Sequence, residues 1–147
     1  MSKKRADWSA ILLQEAPQGV VCIRKPLDDK ARKGVVRYWQ FPGGKKNPGE
    51  NPEQTAVREN FEETGILLAL SQVHLVNSEI QYNHHTHNPF RLYFFRATIS
   101  RTQTGRRIEI GDEGERIRIF TWTELNARND FSPFHYALAL KYRVWRK

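Results

Sequence analysis

Glu59, Glu62 and Glu63 place three carboxylates within five consecutive residues. If that stretch is helical, a turn of about 100° per residue sets Glu62 and Glu63 within about 60° of Glu59, so the three share one face. Like charges at such spacings destabilise a helix by roughly 0.2–0.5 kcal/mol per pair. The helix dipole gives no relief, because its field fades after the first turn. Arg58, four residues before Glu62, offsets part of the repulsion, but one guanidinium does not neutralise three carboxylates. A divalent cation would. Clustered hard oxygen donors suit Mg²⁺ or Mn²⁺, and Mg²⁺ ordinarily sits between carboxylates and substrate phosphates. Immediately upstream, Phe41-Pro42-Gly43-Gly44-Lys45 reads as a strand stopping in a glycine turn. Bare backbone there can approach a ligand, and its amides can face an anion. Residues 24–37, with six basic and two acidic side chains, precede that turn. A solvated acidic face would be the plainer reading of an isolated helix. The glycine turn and the basic stretch favour metal-assisted chemistry on a phosphoanhydride instead.

The elements that must position these groups are legible in outline. Asn51 suits an N-cap, Pro52 the first helical position, Gln54 the capping-box position and Gly65 a left-handed C-terminal stop, so 51–64 is predicted as a helix. Val57 and Phe61 fall opposite the carboxylates and are the expected packing stripe. Strands are predicted over 8–14 and 19–24 around a Pro17–Gly19 turn, over 35–41, over one or two segments within 66–76 and 79–83, over 90–99 and over 116–122. Residues 25–34 and 100–115 read as loops. Thr123 can cap a short helix. Ser132-Pro133 opens a last helix carrying Phe134, Leu138, Tyr142 and Trp145 on one stripe. The pattern is mixed α and β (α/β, α+β) in one domain spanning 1–147, with the basic ends 1–5 and 141–147 free to be flexible.

Composition bounds the function. The 147 residues are 39% hydrophobic and 12% aromatic, enough for a core, which excludes wholesale disorder. One cysteine, Cys22, excludes an intramolecular disulfide framework and a multi-cysteine zinc module. No apolar run reaches the roughly 18–20 residues that span a bilayer, and residues 1–15 lack the apolar stretch of a secretory signal. The expectation is a reduced, cytoplasmic chain with no membrane partner, monomeric or homodimeric. The formal charge of +8 lies mostly at the ends: residues 6–140 carry only +1. That weakens a reading as a dedicated nucleic-acid binder.

Residues 44–66, GKKNPGENPEQTAVRENFEETGI, resemble the signature of the Nudix hydrolases. Gly44, Glu50, Arg58, Glu59, Glu62, Glu63, Gly65 and Ile66 match it. Asn60 departs, standing where the family usually has an apolar side chain, at the edge between the carboxylate face and the packing face. The resemblance implies an α/β/α sandwich with a mixed sheet between helices. It implies that Glu59, Glu62 and Glu63, helped by the Gly44 carbonyl, hold one to three Mg²⁺ or Mn²⁺ ions. Arg58 would orient the glutamates by an ion pair or a contact to Glu50. Catalysis would rest on Glu62, Glu63 and Arg58, with the general base Glu62 or Glu63, or Glu113 or Glu115 from the loop outside the motif.

The implied activity is hydrolysis of a nucleoside diphosphate linked to another group. A nucleoside triphosphate is the first choice of substrate, ahead of dinucleoside polyphosphates, ADP-ribose or nucleotide sugars, and RNA 5′-ends. A non-catalytic nucleotide- or RNA-binding module is the alternative of another class, and the retained glutamates speak against it. Arg24 and Lys45 are the candidate phosphate contacts. Trp39, Tyr82 and Phe90 are candidate stacking surfaces for a base. Tyr82, sixteen residues after Ile66, resembles a tyrosine of the dinucleoside polyphosphate hydrolases, whereas 80–82 lacks the proline of the ADP-ribose branch. His84, His85 and His87 form a local cluster without the cysteines or second ligand group of a zinc site.

Overall fold

A computed structural model describes residues 7–26 and 37–147. Lys3, Lys4 and Arg5, residues 27–34 of the expected basic loop, and Val35 and Val36 of the expected third strand lie outside the described residues. The elements are β1 (Trp8–Ala16), β2 (Gly19–Arg24), β3 (Trp39–Gln40), β4 (Gly43–Lys45), α1 (Pro52–Thr64), β5 (Val73–Tyr82), β6 (Pro89–Thr98), α2 (Arg101–Thr104), β7 (Arg116–Phe120), α3 (Trp122–Ala127) and α4 (Pro133–Lys141).

β1 organises a mixed sheet. Along Trp8–Glu15 it pairs in parallel with β6, which pairs antiparallel with β5. On its other side two strands share it. β4 runs antiparallel to its first half, from Ser9 opposite Lys45 to Ile11 opposite Gly43, and β2 closes a hairpin at its end. β2 carries β3 and β7 further out. Side chains alternate across the pleat. Ile11 and Leu13 join Leu92, Phe94 and Phe120 beneath Leu125 of α3 and Leu138 of α4. Ala10 and Leu12 join Phe95 and Ala97 beneath Ala56 of α1. The sheet is therefore sandwiched between helices, as an α/β/α arrangement.

Several elements differ from the sequence expectation. The third strand does not run to Phe41 and stop in a glycine turn. The chain leaves β2 after Gln40, crosses at Phe41–Pro42 and resumes as β4 against β1, where the Pro42 carbonyl accepts from Leu12 N–H at 2.9 Å. A Cβ on Gly43 would overlap the Ala10 carbonyl and lie 3.0 Å from Ile11 Cα, so only glycine permits this close strand pairing. Of the one or two strands expected within 66–83, the structure has one, β5, with a bulge between Leu75 and Asn77. The short helix after β7 is capped by Thr121, not Thr123, through a capping box with Glu124. The expected loop 100–115 contains α2, capped by Ser100.

α1 has the expected caps: Asn51 with Gln54, Pro52 at the first position, and Gly65 at φ +74°. Its packing face is not the expected one. Phe61 is 50% exposed, and the buried residues are Thr55, Ala56, Asn60, Glu63 and Thr64. The helix rests on small side chains, which bring its carboxylate edge down to β4; of the expected pair, Val57 is half-buried and packs against the core beneath the helix, whereas Phe61 points away from it. Asn60 is fully buried and satisfied. It accepts from Gln14 Nε2 of β1 and donates to the Ile66 carbonyl at 2.9 Å. The departure from the apolar pattern is thus matched by a polar partner across the helix–sheet interface.

α4 begins at the expected Ser132 cap, but Phe134 is exposed while Leu138 is buried. Val144 and Trp145 are buried beyond it, and Trp145 Nε1 donates to Asn126 Oδ1 at 2.9 Å, so this part of the basic end is held against the body of the protein. From α4, His135 reaches back to the β3–β4 crossing. Its Nδ1 accepts from Phe41 N–H at 2.9 Å, and its ring stacks on Phe41. Burial pushes its pKa down to about 3, from about 6.5 in an unfolded chain. The unfolded state therefore takes up a proton first as pH falls. The stability tied to neutral His135 is complete above about pH 6.5 and is lost as pH drops toward 3. Urea unfolding between pH 6.5 and 4 is expected to show a steeper decline for the wild type than for His135→Gln.

Candidate active site

Arg58 gathers the motif. Its Nε and Nη2 form a two-pronged contact with Glu50, at 2.7 and 3.0 Å. Nη1 donates to Glu59 Oε1 at 3.0 Å and to Glu62 Oε2 at 3.1 Å, and Nη2 also reaches the Lys45 carbonyl at 2.8 Å. One guanidinium therefore ties the loop before α1, the end of β4 and two of the three carboxylates. The hydrogen bond from Arg58 holds Glu50 below the usual carboxylate range. Glu50, in turn, accepts from Asn47 N–H at 2.7 Å and from Thr55 Oγ1 at 3.1 Å, which fixes the loop.

The remaining contacts are to the glycine strand. A Cβ on Gly44 would overlap the Glu59 carboxylate, lying 2.6 and 2.7 Å from its two oxygens. Gly43 N–H donates to Glu63 Oε1 at 2.8 Å. Glu63 is buried, with Lys25 Nζ at 3.8 Å from its other oxygen. Burial raises its pKa to about 8, with help from the charges of Glu59 and Glu115, and against the Gly43 amide and Lys25. Glu59 is also raised, chiefly by burial, with Arg58 opposing.

A second loop closes the far end. Asp112 N–H donates to the Glu62 carbonyl at 3.0 Å, Ile108 N–H donates to the Thr64 carbonyl at 2.9 Å, and Gly111 lies against the backbone of Glu63. This loop brings in Glu115, which is 1% exposed, with Oε1 lacking a hydrogen-bond partner among the described residues. Glu113 is exposed. Of the two loop carboxylates, only Glu115 is buried beside the cluster.

The donor set fits a hard divalent cation. Two carboxylates meet at one guanidinium nitrogen, a third is forced toward its neutral form by burial, and a fourth has an orphaned oxygen. Each is a sign of negative charge gathered without enough positive charge. Among the described residues, no three His, Cys, Asp or Glu side chains already close on a metal position. Arg58 binds one oxygen of Glu59 and one of Glu62, and leaves the second oxygen of each unbonded to it.

The expected substrate residues are dispersed. Lys45 is exposed at the end of β4, within the 44–66 motif segment. Arg24 stacks over Trp39 at 4.7 Å, on the sheet face away from α1. Tyr82 is exposed at the end of β5, outside the carboxylate cluster. His84, His85 and His87 are exposed on the β5–β6 hairpin. Trp39 is a core residue, packed edge-on against Phe120. Sequence reasoning passed over two residues here. Lys25 was legible only as part of a basic stretch, and His135 carried no local signal, because its role depends on a contact 94 residues away.

A family model for the NUDIX domain matches residues 3–141. The mouse protein named nucleoside diphosphate-linked moiety X motif 6 is 45% identical over 60 residues, 37% of this chain and 19% of that protein. The RNA pyrophosphohydrolase of Pectobacterium atrosepticum is 49% identical over 47 residues, 32% of this chain and 27% of that protein. The chain thus spans about a fifth to a quarter of these relatives. Among solved structures, a NUDIX hydrolase from Nitrosomonas europaea superposes with a TM-score of 0.69 at 18% identity, covering 95% of this chain and 89% of that one. The MutT protein from Methanosarcina mazei Go1 gives 0.67 at 16% identity, covering 97% and 96%. These two likenesses establish the fold.

Two outcomes follow from the geometry. Gly44→Ala displaces only the end of a glutamate side chain, so its melting temperature should stay within about 3 °C of wild type while divalent-cation affinity, read by calorimetry, falls at least tenfold. Gly43→Ala pushes on backbone and should lower the melting temperature well beyond that. For Glu63 the relevant states are a neutral acid below about pH 8 and a buried anion above it. The unfolded chain ionises near its ordinary carboxylate value, so cation-free stability declines as pH rises toward and through 8. Glu63→Gln keeps an acceptor for Gly43 N–H without the charge. It should melt higher than wild type at pH 8.5 in chelator, with the gap narrowing as pH falls and closing only near the ordinary carboxylate value of about 4.5.

Proposed function

The chain belongs to the NUDIX family, and from that premise we propose that it is a Mg²⁺- or Mn²⁺-dependent pyrophosphohydrolase that converts a nucleoside 5′-triphosphate to the monophosphate and pyrophosphate. The observation that carries this reading is the meeting of Glu59 and Glu63 at the backbone of Gly43 and Gly44, with Glu62 held alongside by Arg58. Such a cluster has no structural use in a chain that only needs to fold, since the buried Glu63 and the crowded carboxylates oppose stability.

Glu59, Glu62 and Glu63, with the Gly44 carbonyl, are the residues that would hold the cation. A bound divalent ion would supply charge neutralisation on the phosphates and a more acidic water. The chain's own part is positioning. Arg58 keeps the carboxylates aligned and fixes the loop through Glu50. Lys45 lies within the motif segment to meet phosphate charge. A water oxygen forms the new bond to phosphorus, the anhydride bond between the α- and β-phosphorus atoms breaks, and its electrons leave with pyrophosphate when the α-phosphorus is attacked or with the nucleoside monophosphate when the β-phosphorus is. The water's proton passes to a carboxylate of the cluster. Glu115 joins Glu62 and Glu63 as a candidate for that role, because its Oε1 is buried and free to accept.

Glu62→Gln is expected to lower kcat by at least about 10²-fold, the usual scale for removing a positioned acid–base or electrostatic group, with circular dichroism and melting temperature unchanged. The assay is a nucleotide panel with Mg²⁺ and with Mn²⁺, products identified. Monophosphate plus pyrophosphate supports the reading. Cleavage confined to dinucleoside polyphosphates or nucleotide sugars would replace the substrate, and wild-type-like activity in both Glu62→Gln and Glu63→Gln would remove the site.

A further inference from the structure

The sheet ends in two edges of opposite character. β7 is five residues long and alternates Arg116 and Arg118 with isoleucines. A short, charged edge resists the addition of another strand. β5 is ten residues long, pairs with β6 on one side only, and holds no Lys, Arg or Pro. The Ser78 amide is capped by Asn77 Oδ1 at 2.8 Å. Otherwise the outer backbone groups of β5 have no hydrogen-bond partner among the described residues. An edge of this length, without the usual guards, is a template for a further strand.

Side chains restrict which strand that is. Leu75, Ile80 and Tyr82 lie on the α1 face of β5, opposite Phe95, Arg91 and Pro89 of β6, and all three are exposed. Asn77, Glu79 and Gln81 lie on the α4 face, opposite Phe94, Leu92 and Phe90. Glu79 Oε1 accepts from the Tyr142 hydroxyl and from Lys141 Nζ at 3.1 Å, and Glu79 Oε2 accepts from Gln81 Nε2. An amide nitrogen carries two hydrogens, and that bond uses one of the pair on Gln81. The bulge between Leu75 and Asn77 interrupts regular pairing. The regular stretch open to a partner is therefore Asn77 to Tyr82.

We propose that the occupant of this edge is β5 of a second copy of the chain, paired antiparallel about a two-fold axis at Ile80. Residues directly opposite in an antiparallel pair share a face of the sheet, and successive residues alternate faces. Opposed residues in a two-fold pair must therefore differ in number by zero or an even step. Two registers then pair all but one residue of the open stretch. The first sets Glu79 against Glu79 of the second copy, and like charges directly opposite destabilise a sheet. The second sets Ile80 against Ile80, Tyr82 against Ser78 and Gln81 against Glu79. It closes apolar side chains on each other and gives the second Gln81 hydrogen a carboxylate. The contact is the same patch on both copies, so it stops at two and does not grow into a filament. β1 and β6 separate β5 from β4, so the carboxylate cluster of each copy stays open.

Sedimentation velocity at micromolar concentration is expected to give twice the mass of the chain. Ile80→Lys should raise the dimer dissociation constant at least tenfold with circular dichroism unchanged. Under mild oxidation Ile80→Cys should cross-link into a disulfide dimer, because position 80 faces itself. Tyr82→Cys, facing Ser78, should not. Cys22 is buried and takes no part. The cross-link decides the matter even where Ile80→Lys disturbs folding. A wild-type chain that stays monomeric overturns the proposal. So does a dimer that Ile80→Lys leaves intact and Ile80→Cys fails to cross-link, since its contact then lies on another face. Assemblies larger than two overturn the two-fold closure.

Discussion

The structure turns on an uncompensated charge. Glu63 is buried beside Glu59 and Glu115, and the nearest cations do not balance them: Lys25 is 3.8 Å away, and Arg58 is occupied by Glu50, Glu59 and Glu62. In a medium that screens poorly, such a group escapes its cost by taking a proton, and the raised pKa of Glu63 is that escape. A cation offers the other way out. On the proposed reading, the same burial that weakens the cation-free fold would make a divalent ion displace a proton as it bound. Stability and ion affinity would then be set against each other in one side chain.

What makes the burial geometrically feasible is the glycine strand. Were Gly43–Gly44 a turn, the carboxylates would face solvent across it. As β4, paired with β1, these residues present flat backbone, and Glu59 and Glu63 lie directly on it. The helix must then come close. It does so by placing Thr55, Ala56, Asn60 and Thr64 against the sheet and sending Phe61 outward. Asn60 would be an error on an apolar interface, since a buried amide without partners costs about 1–3 kcal/mol. Gln14 on β1 and the Ile66 carbonyl remove most of that cost. The price is an orphaned Gln14 Oε1, which marks this polar pair as the least satisfied part of the helix–sheet contact.

The divide between what the sequence reveals and what it hides follows range. Signals carried within one helical turn were readable: Asn51 with Gln54, Pro52, Gly65 and Ser132 all occupy the caps that their chemistry suggests. So were the alternating strands and the ring of glutamates. Features set by contacts far along the chain were not. The glycines read as a turn because glycine and proline usually break strands, and only the proximity of the Ala10 carbonyl makes them strand residues. Hydrophobicity points to Val57 and Phe61 as the packing face of α1; Val57 does pack against the core, but close approach to β4 is the stronger demand and turns Phe61 outward. Thr121 and Thr123 compete for one cap, and the choice falls to the residue with Glu three positions later, a rule that the sequence did contain.

The two faces of the sheet carry different groups, and β4 is where they meet. On the α1 face, Gly43 N–H and Gly44 Cα receive Glu63 and Glu59. On the α4 face, the same two glycines line a cavity closed by Phe41 and His135. Phe41 is held there by its N–H bond to His135 Nδ1, and because that ring stays neutral well below physiological pH, its proton is fixed on Nε2. Its one ring donor is thus of constant sign and place. At Gly43–Gly44 the strand carries no side chains, so the carboxylates of α1 reach its backbone from one face while the cavity opens on it from the other. A side chain at Gly43 would push on the backbone of β1, whereas one at Gly44 would displace the carboxylate of Glu59.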